Sequence, residues 1–246
     1  MSEGGRILGY SVMGFFFGIF IFFNSLFKYK EKKLIENTPT SKVRSIAMGP
    51  VELYGEVIEN KTDLITSPFS GKRVAFCKWT VEEYRKSKNS GYWVTVKKGY
   101  LGDYFYLKDK TGTVLVQVKG AKVDIPRNTE FRSLTPKIKS FLDSQGISYK
   151  TWIFNKQMRF REYFLEQGDK VYIFGYAGDN PFVEDATSDK NEADIMIQKK
   201  GFYYISDKPE KEILKKYVWT IYGGMFGGAA LIVGCLFIIF LYIGIL

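Results

Sequence analysis

Few residues in this chain are able to do chemistry, and their types narrow what that chemistry is. None of the 246 residues is a histidine. This excludes a Ser-His-Asp triad, a Cys-His pair, an HExxH zinc site and imidazole acid–base catalysis near neutral pH. The two cysteines, Cys77 and Cys235, fall short of the roughly four Cys or His ligands that a structural zinc takes, and they cannot build a disulfide framework. Glu82 and Glu83 are adjacent on an expected strand, so they point to opposite faces and do not form an acid–base pair. The acidic stretch Asp179, Glu184, Asp185, Asp189, Glu192 and Asp194 offers oxygen ligands to a hard cation. It lacks the central glycine and fixed spacing of an EF-hand loop, and a solvated loop is the favoured reading. Neither GxGxxG nor GxxxxGK[ST] occurs. Catalysis by carboxylates or a Ser-Lys pair stays open on sequence alone, and the Asn60-Lys61-Thr62 sequon is a chance match if its segment is cytoplasmic. No cofactor and no metal is expected.

The elements that position these residues begin with two apolar runs. Ile7 to Phe27 is 21 residues without a charge; as a helix it reaches about 31 Å, the thickness of the ~30 Å hydrocarbon core. Trp219 to Leu246 is 28 uncharged residues, enough to span with tilt. The first run is long for a signal-peptide core, and no A-x-A-like site follows it, so an uncleaved anchor is expected. The scheme is a span over 7–27, a β domain over 34–207, a juxtamembrane helix over 208–218 and a second span over 219–245.

Charge placement gives the orientation. The net charge is +10, and outside residues 28 to 217 the only charged side chains are Glu3 and Arg6, which cancel. Lys28, Lys30, Lys32 and Lys33 follow the first span, and Lys208, Lys211, Lys215 and Lys216 precede the second. The positive-inside rule therefore keeps the middle segment in the cytoplasm and both termini outside. These lysines are also candidates for contact with anionic headgroups. Tyr217, Trp219 and Tyr222 suit the interfacial belt. Small residues recur at helix-packing spacing: Gly14 and Gly18 in the first span, then Gly223, Gly224, Gly227 and Gly228 in the second. They predict close helix approach, either of the two spans on each other or in a homo-oligomer.

Between the spans the pattern is mostly strand. Thr38-Pro39-Thr40-Ser41 reads as a cap with proline near a first helical turn, opening a short apolar-periodic piece that ends at Gly49. Val51 to Glu59 is β-rich. Ala75, Cys77, Trp79 and Val81 alternate with Phe76, Lys78, Thr80 and Glu82, and a polar turn at 87–91 leads to a partner strand from Tyr92 to Val96. A second hairpin joins Tyr104–Lys108 to Thr113–Val118 through Asp109-Lys110-Thr111-Gly112, with positive φ expected at the glycine. One helix is predicted from a Thr135 cap and Pro136 to a Gly146 stop, with Ile138, Phe141 and Leu142 on one face. Met158–Phe164 and Lys170–Ala177 read as strands on either side of Gln167-Gly168-Asp169. Ser206-Asp207 should cap a helix that runs into the second span.

Specific strings then carry a resemblance. Ile35-Glu36-Asn37-Thr38-Pro39-Thr40-Ser41, Gly49-Pro50-Val51-Glu52-Leu53-Tyr54-Gly55 and Ser67-Pro68-Phe69-Ser70-Gly71 resemble the GIDE, or "beside a membrane" (BAM), domain. So do Phe105 to Val116, with its Asp109 and Gly112 turn, Gly168-Asp169-Lys170-Val171 and Tyr204-Ile205-Ser206-Asp207-Lys208. The match covers about residues 34 to 216. The best-known relatives in that family are mitochondrial membrane-anchored ubiquitin and SUMO ligases in which a RING follows the second span. A RING takes eight Cys or His ligands, which these 246 residues do not contain, so ligase activity is not carried over. The RING-less form is similar to prokaryotic members and implies an archaeal or bacterial membrane.

The expected fold is thus two transmembrane helices flanking a mostly β (α+β) domain. An OB-like five-stranded barrel with one inserted helix is favoured over a less regular β domain. The leading functional expectation is a non-enzymatic scaffold or sensor module with a protein, peptide or lipid partner beside the bilayer. A nucleic-acid reading, with bases stacked on Tyr104, Tyr106 or Trp93, ranks below it, because those aromatics also suit a core and at least eight lysines are explained by topology.

Overall fold

The computed structural model describes residues 3–58, 65–87, 90–150, 156–183 and 194–244. The Asn60 sequon and Glu184, Asp185, Asp189 and Glu192 of the acidic stretch lie outside the described residues. The helices are α1 (Glu3–Glu36), α2 (Pro136–Ser144) and α3 (Glu210–Ile243). The strands are β1 (Gly49–Ile58), β2 (Ile65–Thr66), β3 (Arg73–Val74), β4 (Phe76–Lys86), β5 (Gly91–Leu101), β6 (Tyr104–Lys108), β7 (Thr113–Gln117), β8 (Lys122–Asp124), β9 (Thr129–Phe131), β10 (Met158–Leu165), β11 (Lys170–Asp179), β12 (Ile195–Gln198) and β13 (Tyr204–Ser206). They fall into two units, Thr40–Lys208 and the pair of terminal segments Met1–Pro39 with Pro209–Leu246.

In the terminal unit, α1 and α3 are each 34 residues and are long and apolar enough to cross a membrane. At 1.5 Å per residue each is about 51 Å long, so both continue well past their apolar cores. The last turns of α1 carry the lysines, held by Lys28–Glu31 at 2.8 Å, Lys33–Glu36 at 3.1 Å and a Lys32–Glu36 pair, the spacing at which helix neighbours meet. The two helices pack through glycine. A Cβ on Gly18 would lie 3.0 Å from the Gly228 carbonyl oxygen, and one on Gly228 would lie 3.0 Å from that of Gly18, so backbone meets backbone where no side chain fits. Across the same pair the Tyr217 hydroxyl donates to Glu31 Oε2 at 2.7 Å.

The other unit holds a closed barrel. Its strands run β1-β6-β7-β12-β11 and return to β1. Every pairing is antiparallel except β7 with β12, which is parallel. Renumbered one to five along the chain, the strands close in the order 1-2-3-5-4, a Greek-key barrel of OB-like form. Alternation fills it: Val51, Leu53, Val57, Phe105, Leu107, Val114, Val116, Val171, Ile173 and Ile197 are buried in one cluster. Beyond β11, β13 and β8 extend the sheet.

Two insertions into the barrel build a second layer. The chain between β1 and β6 supplies β4 and β5, and the chain between β7 and β11 supplies β9 and β10; these pair antiparallel as β5-β4-β10-β9. Helix α2 covers one face, with Ile138 and Leu142 against Trp79, Val81, Met158 and Phe160. It begins as expected, with Thr135 Oγ1 accepting from Ile138 N–H and proline in the first turn, and it stops at Gly146, whose φ is +65°.

Four expectations are corrected. The piece after Thr40 is a single 3-10 turn, Val43–Ser45, rather than a helix, because other partners take its N–H groups. Ser41 N–H donates to Glu52 O, Val43 N–H to Asp109 Oδ2 and Arg44 N–H to Thr111 Oγ1. Gly112 is not among the glycines at positive φ; the Asp109 carboxylate shapes that turn by accepting from Thr111 N–H and Gly112 N–H at 2.6 and 3.0 Å. Helix α3 starts after Pro209 with no side-chain cap. Ser206 ends β13 and spends its hydroxyl on Asp124 O and Lys208 N–H, too early in the chain to cap. Phe76, assigned to the polar side of its strand, is buried in the barrel core.

Candidate functional site

The lysine clusters lie where the helices leave their apolar cores. Lys28, Lys30, Lys32 and Lys33 are on the last turns of α1, Lys211, Lys215 and Lys216 on the first turns of α3, and Lys208 just before it. Lys30 and Lys33 line an open depression of about 420 Å³ together with Leu34, Asn37 and Thr38. The glycines divide into two sets. Gly14, Gly18, Gly224 and Gly228 face the other helix: a Cβ at Gly14 would sit 2.7 Å from Cys235 Sγ, and one at Gly224 would collide with Ser25 Oγ. A Cβ at Gly223 or Gly227 would meet nothing within 4 Å among the described residues.

The motif residues are mainly turn formers. Thr38 closes the end of α1 through Leu34 O, and Pro39 follows. Ser67, Pro68 and Gly71 form the turn between β2 and β3, where Ser67 N–H donates to Lys72 O and the Ser67 and Ser70 hydroxyls share a hydrogen bond. That turn is anchored from beneath by Glu162, which is fully buried. Its carboxylate accepts from Phe69 N–H at 2.6 Å, Ser70 N–H at 3.1 Å and Thr129 Oγ1 at 3.1 Å. Burial works to raise the Asp109 carboxyl, but hydrogen bonds from Thr111, Val43 and Gly112 outweigh it and hold it below the usual range. Gly168 at φ +91° lets the chain turn back on β1, with Gly168 N–H on Val57 O and Asp169 Oδ2 accepting from Glu166 N–H. Asp207 stands between β13 and α3.

The three aromatics proposed for base stacking are not brought together. Tyr104 and Tyr106 point outward on barrel strand β6, where Tyr104 accepts from Gln117 Nε2 and meets Phe182 edge-on. Trp93 is on β5 in the other sheet, tilted against Tyr84. Glu82 and Glu83 do diverge: Glu82 pairs with Arg159 and Arg161, and Glu83 with Arg85 and Lys156. Cys77 is buried, and burial, with Glu162 nearby, pushes its thiol up to about 12, which leaves it unreactive.

Sequence reasoning missed an arginine face on the four-stranded sheet, opposite α2. Arg159 contacts Glu82 at 2.5 Å; Arg161 contacts Glu82 at 3.4 Å and Glu130 at 3.0 Å; Arg127 and Arg132 contact Glu130 at 2.6 and 3.0 Å. Burial acts to raise the Glu130 carboxyl, but the arginines prevail and lower it. The members are scattered from Glu82 to Arg161, and only the strand register collects them. The barrel unit also has a cavity of about 170 Å³ beside Phe76, Tyr100, Asp103 and Lys119 and an open groove of about 550 Å³ lined by Tyr54, Glu56, Lys108, Lys110 and Lys170. No group of three or more metal-ligating side chains occurs among the described residues.

No family model, curated protein or solved structure matches the chain. The class is therefore defined by architecture: two candidate membrane-spanning helices and an OB-like β domain.

Proposed function

We propose that the chain is a two-span protein of an archaeal or bacterial cell membrane, a RING-less relative of the GIDE/BAM family. Its β domain is a non-catalytic binding or scaffold module in the cytoplasm that holds a protein, peptide or lipid partner beside the bilayer. The observation that carries the reading is the placement of lysines on the polar ends of both apolar helices, which flank the OB-like domain in the sequence. Each basic residue close to anionic headgroups contributes about 1 kcal/mol of attraction. The lack of histidine within these residues and the inert Cys77 favour binding over catalysis. The outward pair Gly223 and Gly227 leaves a face of α3 for a second copy.

Crosslinking in native membranes followed by mass spectrometry tests the reading. It should recover a partner joined to residues 40–208, or lipid joined to the lysine clusters. Recovery of neither overturns it. Nucleic acid is the second reading, favoured by the barrel's strand order alone; it requires salt-dependent binding of single strands at low ionic strength.

A further inference from the structure

Four of the chain's eight arginines converge on one sheet face, although lysine supplies 28 of its 36 basic residues. The register collects them. Arg159 lies opposite Glu82, and Arg161 lies between Thr80 on β4 and Glu130 on β9. Their side chains emerge on the side away from α2, since Met158 and Phe160 alternate with them into the helix-covered core. Arg127 and Arg132 reach Glu130 from the two ends of β9. Two carboxylates thus serve four guanidiniums. Each guanidinium has five N–H donors, of which these contacts use one or two. Arg159 and Arg161 are held at 13% and 20% side-chain exposure, whereas Arg127 and Arg132 stand at 48% and 67%.

A brace for the sheet would need only Arg159 and Arg161, which already bridge Glu82 and Glu130. The two exposed arginines add two further charges at the rim, bonded to the same Glu130, with Arg132 also lying over Trp93 of β5. Partly desolvated guanidiniums in fixed positions are the donors that bind carboxylates in pairs. Two aromatics of this face carry cations: Arg159 lies 4.2 Å and Arg132 5.9 Å from the Trp93 ring centre, and Lys78 lies 5.3 Å from that of Tyr163, while Tyr100, opposite Lys78 on β5, stays 64% exposed. A carboxylate needs only the guanidinium donors that Glu82 and Glu130 leave unused, whichever rings stand open. We infer that this arginine face docks an acidic segment of a partner protein. The inference rests on the binding-module reading above and names the chemistry of its partner.

The test uses the full chain in phosphatidylcholine nanodiscs, titrated with a fluorescein-labelled oligoglutamate peptide and, separately, with oligothymidylate of equal length. The peptide should bind and weaken with salt. The Arg127→Gln/Arg132→Gln variant should lose at least about tenfold in affinity, and Lys199→Gln/Lys200→Gln, which removes the same charge from the β12–β13 loop, less than about twofold. Unchanged melting of both variants shows that folding is not the cause. Equal losses in the two variants, tighter binding of oligothymidylate, or no peptide binding overturns the inference. If the peptide fails while native crosslinking still recovers a partner, the docking face is wrong and the binding-module reading stands; if both fail, both readings fall.

Discussion

Glu162 shows how one residue can carry a motif. It is a buried carboxylate whose role is to accept backbone N–H groups, so the Ser67–Gly71 turn is shaped from a strand more than ninety positions away. Removing it leaves buried donors unsatisfied, at roughly 1–3 kcal/mol each. Glu162→Ala should lower the unfolding free energy of the detergent-solubilised chain by about 3 kcal/mol, read by urea titration on tryptophan fluorescence. A loss as small as that of an exposed-site control such as Glu212→Ala would refute this role. Cys77 gives a pH prediction. Its thiol is raised from an ordinary 9.0 to about 12 in the folded chain, so between those values the unfolded state has released the proton and the folded state has not. Folding stability therefore falls as pH rises through this window; burial raises the Tyr203 and Tyr204 hydroxyls as well, with the same sign. Cys77→Ala should flatten the loss that begins near pH 9, measured as melting temperature against pH.

Among the elements, the helix pair is the most directly testable. A cysteine replacing Gly14 would face Cys235 within reach of a disulfide, so G14C should crosslink α1 to α3 within one chain under mild oxidation. Adding Gly18→Val, which drives a side chain into the Gly228 carbonyl, should suppress the crosslink. Adding Gly227→Val, which meets nothing on α1, should leave it intact. Equal yields in the two backgrounds would remove the glycine contact as the basis of pairing. The elements also mark what the sequence makes legible. Strong periodicity and turn chemistry located α2, β4, β6, β7 and both apolar helices, because each is specified by its own residues. The closing strand β12 has only four residues beside an acidic stretch; it pairs with β11 and, to close the ring, with Leu115 and Val116 some eighty residues earlier. The helix expected before Gly49 failed for a related reason, as local periodicity lost to hydrogen bonds that Val43 and Arg44 N–H donate to Asp109 and Thr111. The arginine face was invisible because its members share a register and no common stretch of sequence.

For the whole molecule, the +10 charge and its confinement to residues 28–217 make a topological prediction. Ser144→Cys, exposed at the end of α2, should stay unlabelled by a membrane-impermeant maleimide applied to intact cells and become labelled after lysis. Labelling before lysis would reverse the orientation. The barrel's strand order has a further consequence for how the chain is made. β1, β6 and β7 pair early, but the ring closes only when Ile195–Gln198 joins β7, and α3 begins at Glu210. On a ribosome that emits residues in order, the first apolar helix is available to the membrane while the barrel is still an open sheet with an unpaired edge. Such an edge is a template for wrong partners, and its lifetime is set by translation over β8 to β12. Slow codons or a stall in that stretch should therefore favour aggregation at the membrane, even though the sequence of the finished protein is unchanged.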